Sequence, residues 1–355
     1  MKKTAGFALV LVLGAGLFFA TRAPSSEKRR PGPRSEEPEA RLETASAAVP
    51  SRTPARARAP RPGANANGGA VFRANWGGAR DELGRERPNE GNPMGPMSFA
   101  ADSQGRVTVL DGVNSRLVRR AADGSVEGTT RLDVGHPEDL AVGRDGSSAV
   151  LDRFSDKAVA VYDESGHLRG KLPIAGEGID DIGSVTGVFV DGRDVYVERE
   201  HGPLVKIGTT DGAPAEPRSE IPGRPSRDGQ SFLKAGIIEP AAGRTYVTST
   251  NRETKEHRFT RELRTEGPVR TLQLLDTDLA GVIYFAAEVT ASESSEKIEL
   301  YCLDPATGAP VGRATLPVNT MPEESFRDLV VLDQGGVIQA LRTEKGVSYS
   351  RYDCE

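Results

Sequence analysis

The chain has 355 residues and a formal net charge of −5. That balance leaves no large basic face and excludes a nucleic-acid-binding role. An aromatic content of 5% with a single Trp excludes repeat arrays that dock a Trp in every unit, while the length suffices for a well-buried core.

Lys2 and Lys3 precede an apolar run over 5–20. They read as the basic and apolar regions of a secretory signal, either cleaved or kept as a signal-anchor. Residues 1–20 are therefore expected to direct export. The destination is periplasmic or inner-membrane-anchored, alternatively secreted. Residues 21–69 carry Pro, Ala, Ser, Arg and Glu with few large apolar side chains. Such a segment buries too little surface to offset its chain entropy and is expected to be a disordered linker, serving as an N-terminal membrane tether if the signal is retained.

From 70 to 355 the sequence repeats. Residues 95–105 overlay 136–146 without a gap, placing Pro96 on Pro137, Gly105 on Gly146, Asp111 on Asp152 and Arg116 on Lys157. Each unit reads as a short apolar strand, a Gly turn, a second strand ending on an acid, a third strand and a further turn. The first unit has strands at 98–101, 107–110 and 116–119. The second has them at 139–142, 149–151 and 158–162, and the third at 187–190, 195–197 and 204–207. In the fourth, 236–238 and 246–248 read as the first two strands around Gly243. The charged stretch 252–261 makes its outer strand missing or displaced. The fifth uses 272–275, 282–286 and 297–303. The sixth uses 329–332, 337–341 and 347–352, then the chain stops one strand short. Six units at about 48 residues each predict a ring of blades. Because an unpaired edge is a liability, residues 70–76 are expected to supply the missing strand and close the ring. Cys302 and Cys354 permit a disulfide clamping that closure, with two free buried thiols as the alternative.

The stretch Val107-Thr-Val-Leu-Asp111-Gly-Val-Asn114-Ser-Arg116-Leu-Val resembles the signature of NHL-type six-bladed β-propellers. The second unit carries Ser155 and Lys157 in place of the Asn and Arg, and the third keeps only the acid, Glu198. The resemblance implies an all-β six-bladed propeller whose loop face and channel bind proteins, peptides, glycans or, in lactonase-like relatives, a metal. It transfers no catalytic residue.

Asp111, Asp152 and Glu198 are weak candidates for a metal site, since acids from successive blades can converge on Ca²⁺. The stronger reading gives each acid a structural task within its own blade. Loop residues His136, Glu138, Arg153, Arg199, His201 and Arg252 are the candidate binding set. Asp180, Asp181, Glu323, Glu324 and Asn92 read as a solvated acidic rim. Gly176-Glu-Gly178 lacks the Lys and the helix that a phosphate loop requires, and no nucleophile elbow or metal-spaced Cys/His cluster occurs. The expected function is a non-enzymatic binding or scaffold module in the cell envelope, without a cofactor, taking an envelope protein, peptide or glycan. The alternative is a metal-dependent hydrolase of the lactonase or gluconolactonase kind, using Ca²⁺.

Overall fold

A computed structural model of the chain describes residues 69–292 and 295–355. The expected signal and all but the last residue of the expected linker lie outside these residues. The described chain is an all-β six-bladed propeller of six four-stranded antiparallel sheets. Blade one comprises β2 (Ser98–Ala101), β3 (Val107–Asp111), β4 (Arg116–Arg120) and β5 (Val126–Arg131). Blade two comprises β6 (Asp139–Val142), β7 (Ser148–Asp152), β8 (Ala158–Tyr162) and β9 (Leu168–Pro173). Blade three holds β10 (Val185–Asp191), β11 (Asp194–Arg199), β12 (Leu204–Thr209) and β13 (Pro214–Ile221). Blade four holds β14 (Arg224–Pro225), β15 (Ser231–Glu239), β16 (Arg244–Asn251) and β17 (His257–Arg264). Blade five holds β18 (Val269–Thr277), β19 (Ile283–Ser292), β20 (Ser295–Leu303) and β21 (Pro310–Leu316). In blade six, β22 (Leu329–Val331), β23 (Val337–Thr343) and β24 (Gly346–Tyr352) are completed by β1 (Gly69–Asn75).

The ring therefore closes as the sequence demands, with β1 beginning at Gly69, one residue before the expected start. β1 pairs antiparallel with β24 from Gly69↔Arg351 to Asn75↔Gly346. Gly346 makes this approach feasible: its φ is +153°, and a Cβ there would lie 2.0 Å from the Ala74 carbonyl oxygen. Phe72 stacks on Tyr349 at 4.3 Å between centroids, and Phe99 of blade one meets Tyr349 edge-on at 5.2 Å. These rings belong to the apolar cluster joining blades six and one.

The fourth blade departs from the sequence reading. Residues 236–238 belong to its second strand, β15, and Gly243 turns β15 into β16. The inner strand is the two-residue β14, which ends on Pro225. Proline masks strand character, because it lacks the N–H that a ladder uses. The true first turn lies at Asp228-Gly229, where Gly229 has φ +75°. The outer strand is present: the charged stretch continues into β17, whose exposed charges blunt the sheet edge.

Cys302 on β20 and Cys354 form a disulfide. Cys354 sits just past β24 rather than within it. The terminal residues turn back on blade five, where Arg313 and Glu355 exchange backbone hydrogen bonds of 3.0 and 3.1 Å. The bridge straps blades five and six across a separation of 52 residues. Replacing both cysteines by Ser is expected to lower unfolding free energy by about 2–4 kcal/mol, read by denaturant titration. Equal midpoints for the two forms would show the strap to be dispensable.

Candidate functional site: the loop face and the central cavity

In each sheet the inner strand starts at the same end of the ring as the turn between the second and third strands. Those loops form one face; the first-to-second and third-to-fourth turns form the other. Asp111 and Asp152 end their second strands at the first face, Glu198 is the last but one of its own, and all three are buried.

Their donors decide what they do. Asp111 accepts from the Gly84 N–H (2.9 Å), Asn114 Nδ2 (2.8 Å) and Arg116 Nε (2.8 Å). Asp152 accepts backbone N–H groups of His136 (2.8 Å), Phe154 (3.1 Å) and Ser155 (2.7 Å). Among the described residues it has no cation, because the loop is one residue longer: Ala158, not Lys157, stands in register with it, as Arg116 does with Asp111. Lys157 projects into solvent with φ +53°. Glu198 takes its cation from the next blade. Arg224 Nε and Nη2 lie 2.7 and 3.0 Å from its oxygens, joined by Thr186 Oγ1 at 3.0 Å. Burial opposes ionisation of Glu198, but Arg224, His201 and Thr186 outweigh it and bring its pKa to about 2. These oxygens face N–H and guanidinium donors, a setting that does not fit Ca²⁺. Among the described residues no group of three His, Cys, Asp or Glu is placed to hold a metal.

The candidate binding set divides. Arg153 pairs with Glu138 (Nη2 to Oε1, 2.6 Å) and donates to the Val185 carbonyl at 2.7 Å. Its guanidinium lies 5.6 Å from the Phe154 ring centroid and 5.1 Å from that of Phe326. The His136 ring meets Phe154 edge-on at 5.3 Å. His136, Glu138 and Arg153 thus form one patch around Phe154, which is 66% exposed. Arg199 donates to the Gly178 carbonyl at 2.6 Å, and His201 stands 3.6 Å from Glu198. Arg252 belongs to the other face: it sits in the β16–β17 turn, pairs with Asp191 and lies over Phe232. Glu323 of the expected acidic rim is buried rather than solvated, held by Arg85 (2.7 Å) and Arg87 (2.9 Å).

The resemblance implied a channel, but sequence reasoning missed the ion pairs of Asp139, Arg227 and Arg327 inside the central cavity, which is about 980 Å³ in volume. Asp139, at the start of β6, accepts from Ser98 Oγ (2.7 Å), the Val188 N–H (3.0 Å) and Arg327 Nη2 (2.7 Å). Arg327 reaches it from the segment entering blade six and also donates to the Val188 carbonyl at 3.2 Å. Phe189 lies beneath both Arg327 and Arg224. Near the other face, Arg227 bridges Asp276 (2.6 Å) and Asp333 (2.7 Å), tying blades four, five and six. One signal existed: Asp139 overlays Ser98 in the repeat, an acid in a strand otherwise apolar.

Fold and site together define a propeller with an ion-paired polar cavity and a structured loop face. No protein-family model and no curated protein matches the chain. Among solved structures, the chain is similar to hydrazine synthase of Kuenenia stuttgartiensis (13% identity, TM-score 0.46, 72% of this chain and 76% of that one). It is also similar to a streptogramin B lyase (10%, 0.41, 77% and 97%). A putative 6-phosphogluconolactonase of Bacteroides uniformis aligns at 14% with a TM-score of 0.42, over 75% and 87% of the chains. These likenesses extend to general fold and no further.

Proposed function

We propose that the chain is an exported propeller built on NHL-like units and acting as a non-enzymatic binding module in the cell envelope. Its loop face takes a protein, peptide or glycan partner. The observation that carries this reading is Phe154. A large aromatic ring stands 66% exposed, yet it is fixed between His136 and an Arg153 already neutralised by Glu138. Rigid aromatic anchors beside arginine are the residues that dominate binding energy at protein interfaces. The NHL assignment rests on Asp111, Asn114 and Arg116, which form in space the local triad that their spacing implies. Export is supported by Lys2, Lys3 and the apolar run behind them, and by a disulfide suited to an oxidising compartment.

Phe154→Ala tests the reading. In-cell crosslinking should yield a partner adduct that falls by about tenfold in the variant, as loss of a hot-spot side chain does. The melting temperature should stay unchanged, since the side chain is solvent-facing. Undiminished crosslinking would overturn the assignment of this face, and a parent chain forming no adduct would make the propeller a spacer.

A further inference from the structure

Arg153 joins three stretches of the loop face. Its guanidinium lies 5.6 and 5.1 Å from the ring centroids of Phe154 and Phe326 and donates to the Val185 carbonyl at 2.7 Å. Val185 follows a single 3-10 turn, Ile182–Ser184, which Asp181 caps: its Oδ1 accepts from the Gly183 N–H at 2.8 Å. The Ser184 carbonyl in turn accepts from the Glu200 N–H at 2.9 Å, which ties in the β11–β12 turn of blade three. Ile182 and Phe326 both pack against the apolar cluster of blades two and three. Phe154, the 3-10 turn and the Glu200 turn therefore make one continuous strip across the junction of those two blades, held on a packed base.

The charges along the strip are one-sided. Asp180, Asp181, Glu200 and Glu324 are exposed, and none pairs with a cation among the described residues. Glu324, two residues from Phe326, accepts from the uncharged Asn92 at 2.7 Å. The cations nearby are mostly taken. Arg153 is paired with Glu138, Lys171 with Asp156 and Arg199 with Glu220. Lys157 alone stands exposed without a carboxylate among the described residues. Four carboxylates against one ammonium leave the surroundings of the Phe154 ring negative.

We propose that the partner taken by this face is a basic peptide segment. An apolar side chain of the partner lies on Phe154, and its Lys or Arg side chains meet Asp180, Asp181 and Glu200. The proposal rests on the reading of Phe154 as the anchor of the loop face and narrows the class of partner. Unpaired carboxylates around an aromatic anchor select cationic side chains and reject an acidic partner by like-charge repulsion. Lys and Arg suit both features, because an apolar stem carries the charge and can lie along a ring. A glycan stacked on Phe154 would instead bind without regard to charge.

The probes are N-acetyl-Lys-Leu-Lys-Leu-Lys-amide and its counterpart with Glu at each Lys, titrated calorimetrically into the full chain. The basic peptide should bind with one-to-one stoichiometry and the acidic one at least about tenfold more weakly. Raising salt from about 0.05 to about 0.5 M should weaken the basic peptide, since exposed charges are screened. Asp180→Asn, Asp181→Asn and Glu200→Gln combined should cost about tenfold and flatten the salt dependence. Asn at 181 keeps the capping oxygen, so an unchanged melting temperature is expected. Phe154→Ala should cost about tenfold but keep the salt dependence. Equal affinity for the two peptides, an unaltered affinity in the triple variant, or no binding at millimolar peptide would overturn the proposal. So would binding of chitotriose where neither peptide binds. If any of these occurred while Phe154→Ala still abolished crosslinking in cells, the anchor would stand and only the chemistry assigned to the partner would fall.

Discussion

Deleting Gly69–Asn75 is expected to abolish the cooperative native state, not merely lower its stability. The deletion leaves β24 as an unpaired strand edge and removes Phe72 from its stack on Tyr349. It also removes Ala74 from the cluster shared with blade one. An exposed edge beside bared apolar surface invites association between copies. A milder variant isolates the packing term. Phe72→Ala keeps every backbone pair of β1 and creates a cavity beneath Tyr349, a change that costs about 3–5 kcal/mol in a close-packed core. For a domain of this size that corresponds to a fall in melting temperature of roughly 10 °C, measurable by calorimetry. Gel filtration of the deletion chain should show aggregates or an expanded monomer. A deletion chain that melts with the parent would mean that ring closure contributes nothing to the fold.

The same closure shows how far the sequence could be read. The turn glycines Gly105 and Gly146 recur with the same φ of +76°, so a repeated backbone requirement wrote the repeat into the chain. Three strands in the last unit and a spare strand near residue 70 then left one way to pair the ends. Blade four escaped for a local reason: Pro225 hid its inner strand, and Gly243 offered a turn signal one strand too late. The loop-face residues were legible as a group because they lie beside the repeated turns. Arg252 was misplaced with them since the shift of one strand also exchanges the two faces. Of the cavity only the channel itself and the odd acid Asp139, overlaying Ser98, were legible, and its ion pairs were not. Asp139 and Arg327 are 188 residues apart and no repeat relation links the one to the other, so only the closed ring brings them together. Likewise the partner of Glu198 was expected within its own blade, whereas Arg224 reaches it from the next.

That misplaced partner leads to the second large effect. Glu198→Ala is expected to destabilise the fold by about 3 kcal/mol and to loosen blades three and four specifically. Removing one member of a buried ion pair leaves the other charge uncompensated, at a cost of about 3–5 kcal/mol. The lower end applies because Arg224 keeps 25% of its side-chain surface open to the cavity. Among the described residues no apolar cluster spans this junction, so the loss should appear as faster amide exchange in β10, β11 and β15 before the other blades respond. The pH dependence gives an independent reading. The folded pKa of Glu198, about 2, lies below the ordinary value of 4.5. Its contribution is therefore fully present above about pH 4.5 and is lost as pH falls towards 2. Across that window the parent should lose stability more steeply than Glu198→Ala, and the two should converge near pH 2. Parallel acid titrations, or a variant melting with the parent at neutral pH, would show that the seam is held by something other than this pair. Convergence would make Glu198 and Arg224 a principal join at the junction that, among the described residues, no apolar cluster spans.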